Sequence, residues 1–198
     1  MGVQGLAYHH GDLAAALIDA GLEMTRSGGP EALTIRAVTR SVGVTPNAAY
    51  RHFPDRLALL RAVSAAIEAT MAAGMAAGRE PAAPRESLRA VGLGYIAFAL
   101  AEPGWFAVAF FGAGDTSPDS VRDSPAYLAL ADALDMMVHV GELDPAARAA
   151  ATWSCWSTVH GFAELALRGP LRHLDRAELW RLAEQAVDTV IAGLPREV

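Results

Sequence analysis

The stretch TIRAVTRSVGVTPNAAYRHFPDRLALLR, residues 34–61, reads as two short helices joined by a tight turn and followed by the start of a third. Thr34 offers a side-chain oxygen to cap the first helix, and Ile35, Val38 and Val42 follow at helical spacing. Gly43 ends that helix, because glycine accepts the left-handed conformation that closes one. Thr45 is placed to cap the second helix, and Pro46 suits its first position, where no backbone N–H is needed. Pro54 stops the second helix and Asp55 is set to cap the next. Helix, glycine-bearing turn and short helix together make a helix-turn-helix.

Its charge points to nucleic acid. Residues 34–61 carry five arginines, Arg36, Arg40, Arg51, Arg56 and Arg61, against Asp55 alone, a local net charge of +4 in a chain of −6. Such an inversion is the footprint of phosphate binding. At the N-terminal end of the second helix, Thr45, Asn47 and Ala48 are small or short and polar, suited to base edges in a major groove. Tyr50, Arg51 and His52 follow with a hydroxyl, a guanidinium and an imidazole, which suit backbone phosphates. The expected DNA-facing set is therefore Thr34, Arg36, Thr45, Pro46, Asn47, Ala48, Tyr50, Arg51, His52 and Arg56. The competing explanation is a plain structural corner with a solvated basic face, in which Tyr50 and Phe53 are core aromatics.

The segment GVTPNAAYRHFPDRLALLRAV resembles the recognition region of the TetR family of transcriptional repressors, with a G-V-[ST]-x-x-x-x-Y-x-H-F pattern, and the likeness reaches back to Leu33–Arg36. It covers about the first third of the chain. Ala49 departs from the larger apolar residue usual before the tyrosine, which is expected to loosen packing under the second helix. The segment Trp156–Leu165 is similar to the tryptophan–histidine–glycine segment of a subgroup of TetR-type C-terminal domains, which implies ligand binding or dimerisation there. Gly161 within it costs helix stability, and a close helix–helix crossing would explain its presence.

Composition bounds the rest. A chain of 198 residues, 53% apolar and 19% charged, is globular and large enough for a substantial core. Abundant alanine and the lack of alternating β-branched runs favour helices. Lysine is absent, and arginine alone holds phosphate well through its bidentate fork. The single cysteine, Cys155, permits no intrachain disulfide or cysteine-based zinc site and reads as a buried thiol. No signal-peptide pattern and no uninterrupted apolar run of spanning length are evident, so a cytoplasmic protein is expected. No metal or other cofactor is expected: His9 and His10 are adjacent, and on a helix they would point about 100° apart.

Residues 11–27 predict a first helix with an apolar stripe of Leu13, Leu17, Ala20 and Met24, closed by Gly28-Gly29-Pro30. A fourth helix starts near Asp55 and runs through Leu57, Leu60, Val63, Ile67 and Met71 until Gly74, Gly78 and the Glu80–Pro84 segment. Residues 85–101 form the next, with Leu88, Val91, Tyr95 and Phe98. The run Trp105–Phe111 after Pro103 is apolar on every side and therefore buried or lining a cavity. Gly112, Gly114 and Asp115–Asp119 read as a loop. Ser124-Pro125 and Asp144-Pro145 are cap signatures for two more helices. Asp175 with Glu178 opens the last one, carrying Leu179, Leu182, Ala186, Val190 and Ile191.

The fold expected is all-α, with about nine helices. It divides into a DNA-binding unit at 1–54, with the start of the fourth helix at 55–61, and a larger helical ligand-binding and dimerisation unit at 55–198. Helices at about 145–168 and 175–193 are apolar on more than one side, which predicts a homodimer reading a palindromic double-stranded operator. Tyr95, Trp105, Phe106, Phe110, Tyr127, Met137, Trp156 and His160 are candidate walls of a pocket for an apolar small molecule, or plain core. A repressor released by such a ligand is the expectation. The alternatives are a ligand-independent regulator or activator of the same fold and, more remotely, a helical enzyme or a protein-interaction module. Paired acid–base groups for an enzyme are lacking in the aromatic segments beyond His160 and Glu164.

Overall fold

The computed structural model describes residues 13–76, 83–112 and 121–196. Among the described residues there are nine α-helices and no strand. The helices are α1 (Leu13–Gly28), α2 (Ile35–Val42), α3 (Pro46–Tyr50), α4 (Arg56–Ala76), α5 (Pro84–Ala101), α6 (Pro103–Ala107), α7 (Pro125–His139), α8 (Arg148–Leu167) and α9 (Arg176–Ala192). A π-helical turn, Val108–Gly112, continues α6. The sequence expectations at His9, His10, Gly11, Asp12, Gly78, Glu80–Ala82 and Gly114–Asp119 lie outside the described residues.

The helix ends follow local chemistry. Thr34 Oγ1 accepts the Ala37 N–H at 3.1 Å, and Gly43 closes α2 with φ of 77°. Asp55 Oδ1 takes the Ala58 N–H at 2.7 Å, starting α4. Ser124 and Asp175 cap α7 and α9 through the N–H groups of Tyr127 and Glu178. Asp144 instead caps a 3-10 turn, Pro145–Ala147, so α8 proper begins at Arg148. Thr45 stands at the N-cap of α3, but its hydroxyl makes no cap bond.

Two apolar cores share α4. Leu59, Leu60, Val63 and Ile67 pack with Leu17, Leu33, Ile35, Val38 and Ala49, whereas Met71 and Met75 join the core of α5, α7, α8 and α9. Leu57, expected on the buried stripe, is exposed; Leu59 takes the inner position because α4 is buried along two adjacent rows. On α1 the fully buried line is Leu17, Gly21 and Thr25, offset from the expected stripe. Gly21 explains the offset: a Cβ there would sit 2.6 Å from Val63 Cγ2, so α1 and α4 meet at a glycine. Ala49 is wholly enclosed, so the small side chain does not open the packing beneath α3.

Arg56–Met75 averages a hydropathy of 1.4, apolar enough to cross a membrane by length and composition alone, but its apolar rows face the two cores. On the outer rim, Arg89 bridges α5 to Asp188 on α9, and Arg148 bridges α8 to Asp135 on α7. Gly161 marks no close crossing among the described residues, since a Cβ at that position would meet none of them within 4 Å.

Candidate nucleic-acid interface and ligand cluster

The α2–α3 corner turns its polar residues outward. Thr34, Arg36, Thr45, Pro46, Asn47, Tyr50, Arg51 and His52 are exposed and Ala48 is half-buried, while Ala49 anchors α3 from below. Tyr50 is 50% exposed, which removes it from the core that the corner explanation required. Phe53, by contrast, packs against the core. The Thr45 hydroxyl is not committed to the cap and can meet an external partner, whereas the Thr34 oxygen is already engaged as one.

Arg56 departs from the expectation. Its Nε donates to the Leu33 carbonyl at 2.6 Å, its Nη2 donates to the Pro30 carbonyl, and Glu31 lies 4.0 Å away. The guanidinium therefore ties the start of α4 to the α1–α2 connection rather than pointing its fork at a phosphate. The 23- and 26-residue separations of these bonds left no local signal in the sequence.

Behind this corner, α6 meets the end of α1. Trp105 Nε1 donates to the Leu22 carbonyl at 2.8 Å, and the Arg26 guanidinium lies 5.1 Å from the Trp105 ring centroid. Arg26 also makes two hydrogen bonds to Glu102, of 2.8 and 2.5 Å. A Cβ on Gly104 would overlap the carbonyl oxygens of Thr25 and Arg26. Trp105 thus belongs to the α1 side and is not a wall of the aromatic cluster, because its ring faces Phe98 and Arg26.

The other face of the same segment builds that cluster. The π-helical turn widens the register, so that both Phe110 and Phe111 reach His160, at 5.2 and 6.0 Å between ring centroids. Phe106, Tyr95 and Trp156 close around them, with Phe106–Phe110 at 4.8 Å and Tyr95–Trp156 at 5.5 Å, and Tyr127 packs on Trp156 at 5.8 Å. Met137 is fully buried elsewhere in the same core. The Tyr95 hydroxyl and His160 Nδ1 are joined by a 2.7 Å hydrogen bond. Burial, with a lesser push from Glu164, raises the Tyr95 hydroxyl well above its usual range. Burial also holds His160 below its ordinary value, Arg168 adding to this and Glu164 opposing it.

Tyr95 and Trp156 also wall a narrow apolar gap of about 20 Å³ that reaches Met75, Leu88, Val91, Gly92, Ala126, Leu130, Cys155, Val159, Val187, Val190 and Ile191. Only Tyr95 and Trp156 of the expected pocket residues line it; Phe106, Phe110, Tyr127, Met137 and His160 do not. The aliphatic walls were missed because they are indistinguishable in sequence from ordinary core. Gly92, facing Val159 and Val187, was the available hint. The gap is a slit, wide enough in places for about one water molecule. Burial pushes the Cys155 thiol on its wall up to about 11, so it is an inert surface.

Residues 17–63 match the family described as bacterial regulatory proteins, tetR family, and residues 88–190 match the tetracyclin repressor-like C-terminal domain. No curated protein matches the chain. A protein of unknown function from Rhodococcus sp. RHA1 is similar in structure, with 26% identity, a TM-score of 0.73, and 96% of this chain and 99% of that one covered. FadR from Bacillus subtilis, in complex with stearoyl-CoA, is 15% identical with a TM-score of 0.70, covering 91% and 99%. A TetR variant from Acinetobacter baumannii AYE, in complex with minocycline, is 20% identical with a TM-score of 0.65, covering 90% and 94%. With an outward-facing basic helix-turn-helix at one end and the matched C-terminal helices at the other, the chain belongs to the TetR family and is a DNA-binding transcription regulator rather than an enzyme.

Proposed function

We propose that this regulator is a homodimeric repressor in the cytoplasm, released from a palindromic operator by an apolar small molecule. Residues 1–54 form the DNA-binding unit and residues 55–198 the ligand-binding and dimerisation unit, with α4 running from one into the other. Asn47, Ala48 and Thr45 face base edges; Arg36, Tyr50, Arg51 and His52 face phosphates. Two copies pair through α8 and α9. An open groove between these helices is lined by Thr158, Phe162, Leu171, Leu182, Ala186 and Val190, and the neighbouring Leu165 is 47% exposed. Such a pairing sets two α3 helices about 34 Å apart, one turn of duplex.

The observation that carries the proposal is the double attachment of the aromatic segment: Trp105, Gly104 and Glu102 grip α1, while Phe106, Phe110 and Phe111 pack on the His160 cluster. A ligand that opens the slit displaces Tyr95 and Trp156, on which Phe106 and Phe110 pack, and so pushes on a segment fastened to α1. The ligand then selects a less populated, opened conformation with a different α3 spacing. Two structural relatives are in complex with small molecules, stearoyl-CoA and minocycline, which favours a ligand-responsive reading.

Selection of bound sequences from a random DNA pool, followed by a compound screen on the recovered site, tests this. A palindrome whose binding is weakened by apolar compounds is expected. A recovered palindrome that no compound weakens would leave a ligand-independent regulator.

A further inference from the structure

We propose that α8 crosses its own copy at Gly161, so that this residue sets the closest approach of the two protomers. This rests on the homodimeric reading above and adds the point of contact, on which the spacing of the two α3 helices depends.

Gly161 lies well inside α8, where glycine weakens a helix relative to alanine. Two features of a single chain can require glycine, and neither applies. The positive-φ glycines among the described residues are Gly29, Gly43 and Gly141, so the backbone at 161 does not call for one. Other glycines inside helices have neighbours that a side chain would press on: Gly21 meets Val63, Gly92 meets Val187, Gly94 meets the Met75 backbone and Gly104 the carbonyls of Thr25 and Arg26. Around Gly161 a Cβ would meet no described residue within 4 Å. Gly74 is equally open, but it stands in the last turn of α4, where a weak helix former disturbs less. What remains for Gly161 is a chain that approaches from outside.

The face around it fits a second copy. Ser154, Ser157 and Leu165 share the outward side of α8 with Gly161 by helical spacing, and all three are exposed. The adjoining groove towards α9 is lined by Thr158, Phe162, Leu182, Ala186 and Val190, without a charged side chain. Interface cores are depleted of charge in this way, and an uncharged face meets its own copy without like-charge repulsion. The outer faces of α8 and α9 offer roughly 600 Å² in flat projection, the scale of the roughly 800 Å² of accessible surface per partner that a stable interface buries. With a two-fold axis through the crossing, position 161 of one protomer meets position 161 of its partner. Without side chains there, the helices approach to the short end of the interaxial range of about 8–10 Å. His160, the preceding residue, carries the ring on which Phe106, Phe110 and Phe111 pack. The crossing therefore places, in each protomer, the helix that holds the segment fastened to α1, and with it the separation of the two DNA-binding units.

Gly161→Ala in the full chain tests this, because the two possibilities have opposite signs. If only solvent covers position 161, alanine is the better helix former, and the variant is more stable with dimerisation unchanged. If the partner's α8 lies there, the added methyl group forces the two helices apart. The dimer dissociation constant, from sedimentation equilibrium, is then expected to rise about tenfold in Gly161→Ala and about a hundredfold or more in Gly161→Leu. Circular dichroism at high protein concentration checks that both variants fold, and the alanine variant decides alone if the leucine variant does not. An unchanged or lowered dissociation constant in Gly161→Ala overturns the crossing at this residue and leaves the homodimer standing. A parent chain that stays monomeric at micromolar concentration overturns the homodimeric reading itself.

Discussion

Glu102 at the head of α6 grips Arg26 near the end of α1 through two hydrogen bonds, of 2.8 and 2.5 Å, across 76 residues of sequence. This pair sits on the outside of a junction whose inside is the close approach of Gly104 to the carbonyls of Thr25 and Arg26. The two halves of the junction make different contributions. An ion pair open to solvent adds little to stability, whereas a backbone approach that only glycine permits fixes where α6 rests.

Gly104→Ala is therefore expected to destabilise the chain by about 1–3 kcal/mol, the usual cost of overpacking, read as a lowered unfolding midpoint in denaturant. Glu102→Gln should leave that midpoint almost unchanged. If the junction transmits ligand binding, Glu102→Gln should instead shrink the effect of ligand on operator affinity. An unaltered ligand effect would show that α4 alone carries the coupling.

Tyr95→Phe removes the hydroxyl bonded to His160 Nδ1 and leaves that half-buried ring nitrogen without its partner. The expected cost is about 1–2 kcal/mol. The aromatic packing of ring 95 on Phe106 and Trp156 is kept, so near-ultraviolet circular dichroism should change little. A variant as stable as the parent would mean that water replaces the hydroxyl at no cost.

The His160 imidazole also sets a pH dependence. Burial lowers its proton affinity in the folded chain below the ordinary value of 6.5. The unfolded chain therefore takes up the proton first as pH falls. Stability is full above about 6.5 and declines through that value until the lowered folded pKa is passed. Glu164, Arg168 and the Tyr95 hydroxyl are the charged and titratable groups that bear on it, and Glu164 works against the shift. Melting temperatures across about pH 5–8 should fall on the acid side by less in His160→Gln than in the parent. Parallel curves would assign the acid loss to other groups.

The helix-turn-helix corner was legible in sequence because each of its signals is local. A cap, a glycine stop, a proline start and an excess of arginine lie within residues 34–61 and need no knowledge of the rest of the fold. Trp105, Arg26, Glu102 and Arg56 were not legible in the same way. Their partners are 23 to 83 residues distant, and composition does not record distance. Trp105 shows the point: one residue from Phe106 in the same aromatic run, it faces the opposite core, because adjacent side chains on a helix diverge by about 100°. The slit posed a different obstacle, since Val, Leu and Met that line a cavity look the same in sequence as those that fill one.

Arg51 and Arg56 both counted towards the basic stretch, and the structure separates them. Arg51 is exposed beyond the end of α3, while Arg56 donates to the carbonyls of Leu33 and Pro30. Removing one phosphate-binding side chain should reduce the slope of log affinity against log salt by about one. Arg51→Ala is expected to weaken operator binding with that change of slope and with little change in unfolding midpoint. Arg56→Ala should do the reverse: the slope is kept, and stability falls by about 1–3 kcal/mol as two carbonyls are deprived of a charged donor. Measuring both variants on one operator across a salt series, with a denaturant melt of each, distinguishes a phosphate ligand from a structural tie. A slope lowered in Arg56→Ala would show that its guanidinium leaves the carbonyls to reach DNA.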